Sequence, residues 1–360
     1  MKWVIYDGFR QRGVERRMAL HHVYGVDIGT STVKIYDQSN DSIFKEKNMI
    51  AIENKDSVFA IGSDAYNLLG KTPSNIEVIT PMVNGTISDI SLMEVVLHTY
   101  LKRCQGRLGY RPTLIFSVPA DMTEIEKRAY YTIAHRGNLR HGKLFAVEKP
   151  IADALSFGIP LSRTNGSMII NIGAQSTQIS VIADSRVVIS KSLPLGGRSI
   201  NDAIVANVRR KNNLHVSPKM AKRLKLSLTD LNGEKMEGRK IVGIDTEKGI
   251  PRDGIITAYT VTDAVRGQIE QLTMEIRRFL ERIPPQIRTC INQEGLYLCG
   301  GSTRIVGLGE YLNNHLECPV RLSGYYDLST ICGIKELAAH PELMNHWTFA
   351  LNNKKEQRQS

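Results

Sequence analysis

No run in this chain approaches the roughly 20 consecutive apolar residues of a membrane-spanning helix. The first residues also lack the clean apolar core of a secretory signal. Cysteine is scarce. The residues at 104, 290, 299, 318 and 332 are odd in number and fall at no metal-ligand spacing, which reads as reduced cytosolic thiols. His21-His22, His98, His135, His141 and His215 have no second ligand at metal spacing. Acidic residues run short: 36 Asp and Glu stand against 47 Lys and Arg, a net charge of +11. No recognisable nucleic-acid module and no basic stretch with interleaved aromatics accompanies that charge. The favoured partner is therefore an anionic membrane surface, near which each basic residue adds ~1 kcal/mol.

The 360 residues, 42% hydrophobic and 23% charged, suit two medium domains with real cores. The organising stretch runs from Val23 to Tyr36. Two short runs rich in β-branched and aromatic residues flank the small polar centre Asp27-Ile28-Gly29-Thr30-Ser31-Thr32, which predicts a hairpin. Gly29 lets backbone approach a ligand closely, and turn amides with hydroxyls can cradle phosphate. Asp27 is expected to hold the water shell of a magnesium ion rather than touch phosphate. Lys34 is expected to reach back as a point charge. The design recurs at Ser167–Ile182, with the turn Gly173-Ala174-Gln175-Ser176. A third glycine turn, Gly300-Gly301-Ser302-Thr303, follows the apolar run Leu296–Cys299.

A duplicated phosphate hairpin with a late strand-Gly-Gly turn resembles the actin, sugar-kinase and heat-shock-chaperone ATPase superfamily. Within it the chain resembles the MreB family of bacterial actins, the rod-shape-determining proteins. The matching segments are Gly62–Tyr66, Leu69–Pro73, Thr80–Met82, Asn84–Asp89, Glu148–Ala154, Leu195–Gly197, Asp202–Ile204, Pro284-Pro285 and Gly295–Leu308. They cover about residues 22 to 340 in the family's order. The resemblance implies an α/β, actin-like ATPase fold: two similar ribonuclease-H-like domains, each with an inserted small subdomain. The expected division is 22–52, 91–150 and 323–345 for subdomain IA and 53–90 for IB. Residues 151–195 and 255–322 are expected to form IIA, 196–254 to form IIB, and 346–360 a loose tail. Residues 1–21 are expected to be an extension or disordered, since Met18 sits just before the first strand.

Local signals agree with this order. Thr123 with Glu126 three positions on predicts a capped helix to about His135. Pro150 opens a helix at Ile151–Phe157, and Lys219–Leu226 reads as a basic helix. Ile269, Leu272, Ile276 and Leu280 mark a core-facing helix that stops at Pro284-Pro285.

The resemblance implies ATP or GTP with weakly held Mg2+. It implies nucleotide contacts from Asp27, Gly29, Thr30, Ser31, Thr32, Lys34, Gly173, Ala174, Gln175 and Ser176, with Lys222, Lys225, Gly300, Gly301, Ser302 and Thr303. The catalytic positions it implies are Glu148, Lys149 and Thr177. The family carries two adjacent glutamates before the hinge-helix proline; here the second is Lys149. A charged lysine donates but cannot accept, so it takes no proton from water. Asn171 stands where the family has aspartate, Gly173-Ala174-Gln175 replaces three glycines, and Lys222, Ser227 and Arg198 replace acidic residues. Hydrolysis is expected to suffer more than binding.

Leu108 and Tyr110, flanked by Arg107 and Arg111, lie where the family carries an apolar membrane loop. The expected function is a cytoplasmic filament protein on the inner membrane face, assembled head to tail from its own copies. Other shape proteins are expected partners, and nucleic acid is not. The alternatives are a non-polymerising paralogue that modulates an active MreB, and a small-molecule kinase of the same superfamily.

Overall fold

The computed structural model describes residues 22–105, 111–135 and 139–351. The expectations for residues 1–21, for Leu108 and Tyr110, and for the tail from 352 onward lie outside the described residues. The first half runs β1 (Val23–Ile28), β2 (Thr32–Asp37), β3 (Ser42–Lys47), β4 (Ile50–Glu53), β5 (Ser57–Ile61) and α1 (Ser63–Leu68). It continues through β6 (Ile76–Ile79), β7 (Met82–Val83), β8 (Thr86–Ile87), α2 (Ile90–Gln105), β9 (Thr113–Val118), α3 (Glu124–Ala134) and β10 (Lys143–Glu148). The second half opens with α4 (Lys149–Ser156), β11 (Ser167–Ile172), β12 (Thr177–Ala183), β13 (Arg186–Leu193) and α5 (Gly197–Asn212). Then come β14 (Leu214–His215), α6 (Pro218–Leu228), β15 (Gly238–Asp245), β16 (Pro251–Thr257), α7 (Ala258–Glu281) and α8 (Pro285–Glu294). The chain closes with β17 (Leu296–Cys299), α9 (Leu308–Leu316), β18 (Val320–Leu322), α10 (Ser329–Ala339), α11 (Pro341–Trp347) and β19 (Phe349–Ala350).

Two main sheets repeat one plan. The first has the order β19-β10-β9-β1-β2-β3 and the second β13-β12-β11-β17-β18. In each, a three-strand antiparallel meander joins parallel strands, β1 to β9 and β11 to β17. Strand β1 is buried along nearly its whole length, as near-continuous apolar runs in parallel sheets demand. Smaller sheets, β5-β4-β6 and β14-β15-β16, sit apart from the main ones. Between the main sheets lie α4 and α10. Ile151, Ala152, Ile331 and Ile334 join one apolar cluster with Ile115 and Val147 from the first sheet and Ile169 and Ile182 from the second. The phosphate-type turns therefore open at the ends of parallel strands over a shared floor, where ligands of open α/β sheets bind.

Local chemistry sets the element ends. Thr123 accepts from the Glu126 amide while the Glu126 carboxylate accepts from the Thr123 amide, a complete capping box. Pro150 occupies the first turn of α4, and Ser217 and Thr257 cap α6 and α7. The Pro284-Pro285 pair ends the reach of α7, yet Pro285 also starts α8, because a first-turn proline loses no hydrogen bond. Residues 346–351, expected in a loose tail, instead carry β19. It pairs antiparallel with the free edge of β10, and Leu351 is buried with its amide on the Leu144 carbonyl. All five cysteines are free thiols. Among the described residues, no helix is long and apolar enough to cross a membrane.

Candidate functional site

Asp27 is the penultimate residue of β1 and is fully buried. The hairpin register sets Lys34 of β2 directly opposite, so both side chains share a face. The Lys34 ammonium lies 2.7 Å from Asp27 Oδ2. On Oδ1, Ser117 at the end of β9 donates through Oγ at 2.8 Å, and the Lys149 ammonium stands at 3.2 Å. Burial alone would raise the Asp27 pKa. The Lys149 and Lys34 charges, with hydrogen bonds from Lys34 and Ser117, outweigh it and hold the carboxyl well below its usual range. Burial would lower Lys149, but Asp27 and then Asp153 draw it above its ordinary value. Lys34 thus reaches back as expected, but to Asp27.

One helical turn after Lys149, Asp153 faces the same side of α4. It accepts from Asn171 Nδ2 at 2.7 Å and from Thr330 Oγ1 at 2.6 Å. Burial pushes its pKa up, against the opposing pull of Lys149, Asn171 and Thr330. Cys299 lies beside it, and burial and this carboxylate hold its thiol protonated. Contacts from Lys34 through Asp27 to Lys149, and from Asp153 to Asn171, joined by the charge attraction of Lys149 and Asp153 along α4, therefore link the first glycine turn to the second.

The second and third turns pack on one another. Gly300 has φ +96, and a Cβ there would lie 2.4 Å from the Ile172 carbonyl oxygen, so only glycine fits. Ser302 Oγ donates to the Gly173 carbonyl at 3.1 Å, and the Gly197 amide donates to the same oxygen at 3.0 Å. Thr303 Oγ1 closes its own turn on the Gly300 carbonyl. Ser176 and Ala174 line the half-buried second turn, as Thr30, Ser31 and Thr32 line the first. Gln175 reaches outward, its Oε1 accepting from the Asn84 amide at 2.8 Å. Thr177 is fully buried and its hydroxyl donates to the Leu195 carbonyl at 2.7 Å. Its donor fixes the turn, which leaves the hydroxyl oxygen as an acceptor. Glu148 is half-buried, which raises its pKa.

Lysines line the outer end. Lys225 is buried, and its ammonium donates to the Gly197 carbonyl at 3.0 Å. Burial and the nearby Lys222 charge push its pKa down to about 8. Tyr66 of α1 lies between two ammoniums, Lys47 and Lys219, each 4.9 Å from the ring centroid. Lys219 Nζ also stands 3.4 Å from Asn67 Oδ1, so α6 of the second half meets α1 of the first at the mouth. Asp327 binds Arg304 at 3.2 Å and Lys45 on β3, bridging the halves again.

These residues do not fit a divalent cation. Both Asp27 oxygens are engaged, two of the three donors are cations, and a single carboxylate lone pair is left to meet a water shell. Both Asp153 oxygens are likewise taken. Among the described residues no group of three or more His, Cys, Asp or Glu could hold a metal. Sequence reasoning missed Ser117, Asp153, Asn84 and Asn48, whose Nδ2 donates to the Gly29 carbonyl at 3.0 Å. Only Asp153 left a signal, its four-residue spacing from Lys149.

Comparison with known proteins agrees with this architecture. The model of the family described as MreB/Mbl protein matches residues 21–346. The chain is 29% identical over 303 residues to the cell shape-determining protein MreB of Escherichia coli (strain K12), covering 82% of this chain and 87% of that protein. To the cell shape-determining protein Mbl of Bacillus subtilis (strain 168) it is 27% identical over 299 residues, covering 82% and 89%. The crystal structure of MreB5 of Spiroplasma citri bound to AMPPNP superposes with a TM-score of 0.83 at 24% identity, covering 89% of this chain and 97% of that one. The MamK double helical filament superposes at 0.73 and 19%, covering 89% and 99%. The fold is the actin-like ATPase fold, and the chain belongs to the MreB/Mbl protein family.

Proposed function

We propose that this chain is an actin-like cytoskeletal protein that holds ATP or GTP between its two halves and assembles head to tail into filaments on the inner face of the cytoplasmic membrane. In this reading it contributes to cell shape and hydrolyses its nucleotide slowly or not at all. The carrying observation is the Lys149 ammonium 3.2 Å from Asp27, at the position where the family resemblance puts a water-activating group. An ammonium can orient a phosphate oxygen but cannot accept a proton from water. Ser302, Lys225 and the turns around Gly29 and Gly173 would bind and orient the phosphates. The contacts of Tyr66 and Asp327 would hold the halves closed around them.

The relatives support the wider reading. Two are named as cell shape-determining proteins, MreB5 crystallised with AMPPNP and with ADP, and MamK forms a double helical filament. Contacts that repeat head to tail without closing generate filaments, and the net charge of +11 suits an anionic lipid surface. The test is sedimentation of the pure protein with nucleotide, with and without anionic vesicles, alongside phosphate release. Pelleting with release at the buffer baseline is expected. Brisk release would retire the lost hydrolysis, and failure to pellet would favour the non-polymerising paralogue.

The lysines give this reading a pH dependence. A bound polyphosphate favours charged Lys225, so binding takes up a proton wherever that group is neutral in the free protein. Affinity is therefore expected to be flat below the free pKa of about 8 and to fall above it. Lys225→Met should weaken binding at neutral pH and flatten the profile. Isothermal titration of ATP between pH 7 and about pH 9.5 checks both.

A further inference from the structure

We infer that this cleft takes its nucleoside polyphosphate without a divalent cation, the ammoniums of Lys149 and Lys34 supplying the positive charge a metal ion would bring. The inference rests on the nucleotide reading above and goes beyond it, because it concerns what neutralises the phosphates.

Three observations carry it. Near the end of β1, Asp27 is fully buried and takes three donors, two of them cations: Lys34 on one oxygen, Ser117 and Lys149 on the other. A metal bound through water needs carboxylate lone pairs directed at that water, and three of the four here are directed at N–H and O–H groups instead. The corresponding position on β11 is Asn171, a neutral amide whose Nδ2 donates to Asp153. The second turn therefore brings no carboxylate of its own, and the acid it reaches is closed off by Thr330 on the other oxygen.

The third observation is the sign of the charge. Asp27 is one carboxylate facing two ammoniums, and burial pushes the next acid, Asp153, toward its neutral form, so the balance around Asp27 leans cationic before any ligand arrives. A dication would add like charge at short range in a poorly solvated place, whereas a polyphosphate finds donors already oriented. An ammonium has three N–H groups, so the partly exposed Lys149 can hold Asp27 and still donate to phosphate oxygens, while the buried Lys34 contributes its charge. Lys225 adds a third ammonium, held by the Gly197 carbonyl beside Ser302. Lys149 is thus a positioning residue that fixes Asp27 and the hinge helix while presenting charge to the ligand.

The experiment titrates ATP into the full chain by calorimetry, once in excess Mg2+ and once in EDTA. Affinities within about threefold of each other are expected, less than the tenfold that 1.4 kcal/mol would produce. Lys149→Glu should weaken binding in EDTA more than about tenfold and recover part of it with Mg2+, since it restores an acid and removes a cation. Wild-type binding seen with Mg2+ and lost in EDTA would overturn the inference while leaving the nucleotide reading intact. No binding in either buffer, by protein shown folded by circular dichroism, would overturn both. The wild-type pair of titrations decides the matter even if Lys149→Glu fails to fold.

Discussion

Asp27→Asn is expected to lower the stability of the protein by about 3–5 kcal/mol, the usual loss when one partner of a buried ion pair is removed. Asparagine keeps the shape of the side chain, so the effect is one of charge. Lys34 has only 8% of its side chain exposed and cannot swing out to water, leaving its ammonium uncompensated. Lys149 is 24% exposed and can relax partly. The amide brings a further conflict, because its NH2 must face the ammonium of either Lys149 or Lys34, which cannot accept. Urea denaturation of both proteins measures the difference, and equal midpoints would show that the cluster is solvated. Replacing Lys34 by methionine in the variant should recover part of the loss, since it removes the stranded charge.

The same cluster sets an acid limit. Asp27 is held below its unfolded value of 3.8, so its contribution is complete above that value. It is lost as pH falls from there toward the lower folded pKa, where protonating the native carboxyl becomes possible. The wild type should therefore lose stability below about pH 4 more steeply than Asp27→Asn, which has no group to titrate there.

How much of this was legible in the sequence depends on how far apart the interacting residues lie. The hairpins at Gly29 and Gly173 are written in alternating apolar strands around small polar turns, and both formed. The capping box at Thr123 is a four-residue signal and is satisfied in full. Lys34 was visible as a cation near the turn, but its target depended on register. Seven residues after Asp27 across this turn is the directly opposed position, and a carboxylate there captures it. Ser117 and Thr330 lie 90 and 177 residues from their carboxylate partners, so no local pattern announces them. Strand β19 was hidden for another reason. It is two residues long, just ahead of a polar, basic run, and exists because β10 offers an unpaired edge.

Gly333 shows how a local rule can point the wrong way. It lies inside α10, where replacing glycine by alanine ordinarily gains about 0.5–1 kcal/mol. Here a Cβ would sit 1.7 Å from the carbonyl oxygen of Ala152 on α4, with the Ala152 carbonyl carbon at 2.5 Å. Both are backbone atoms of a helix and cannot rotate aside, so α4 and α10 must move apart. Overpacking of this kind typically costs about 1–3 kcal/mol and occasionally more, which exceeds the helix gain. Gly333→Ala is expected to be destabilised on balance. The displaced helix carries Lys149 and Asp153, so ATP affinity should fall with it. Gly267 on α7 is the control: nothing lies within 4 Å of its added Cβ, and Gly267→Ala should gain the ordinary helix increment. Urea midpoints for the two variants, shifted in opposite directions, establish that close approach of α4 and α10 fixes the position of the hinge lysine. A Gly333→Ala protein as stable as the wild type would remove that link.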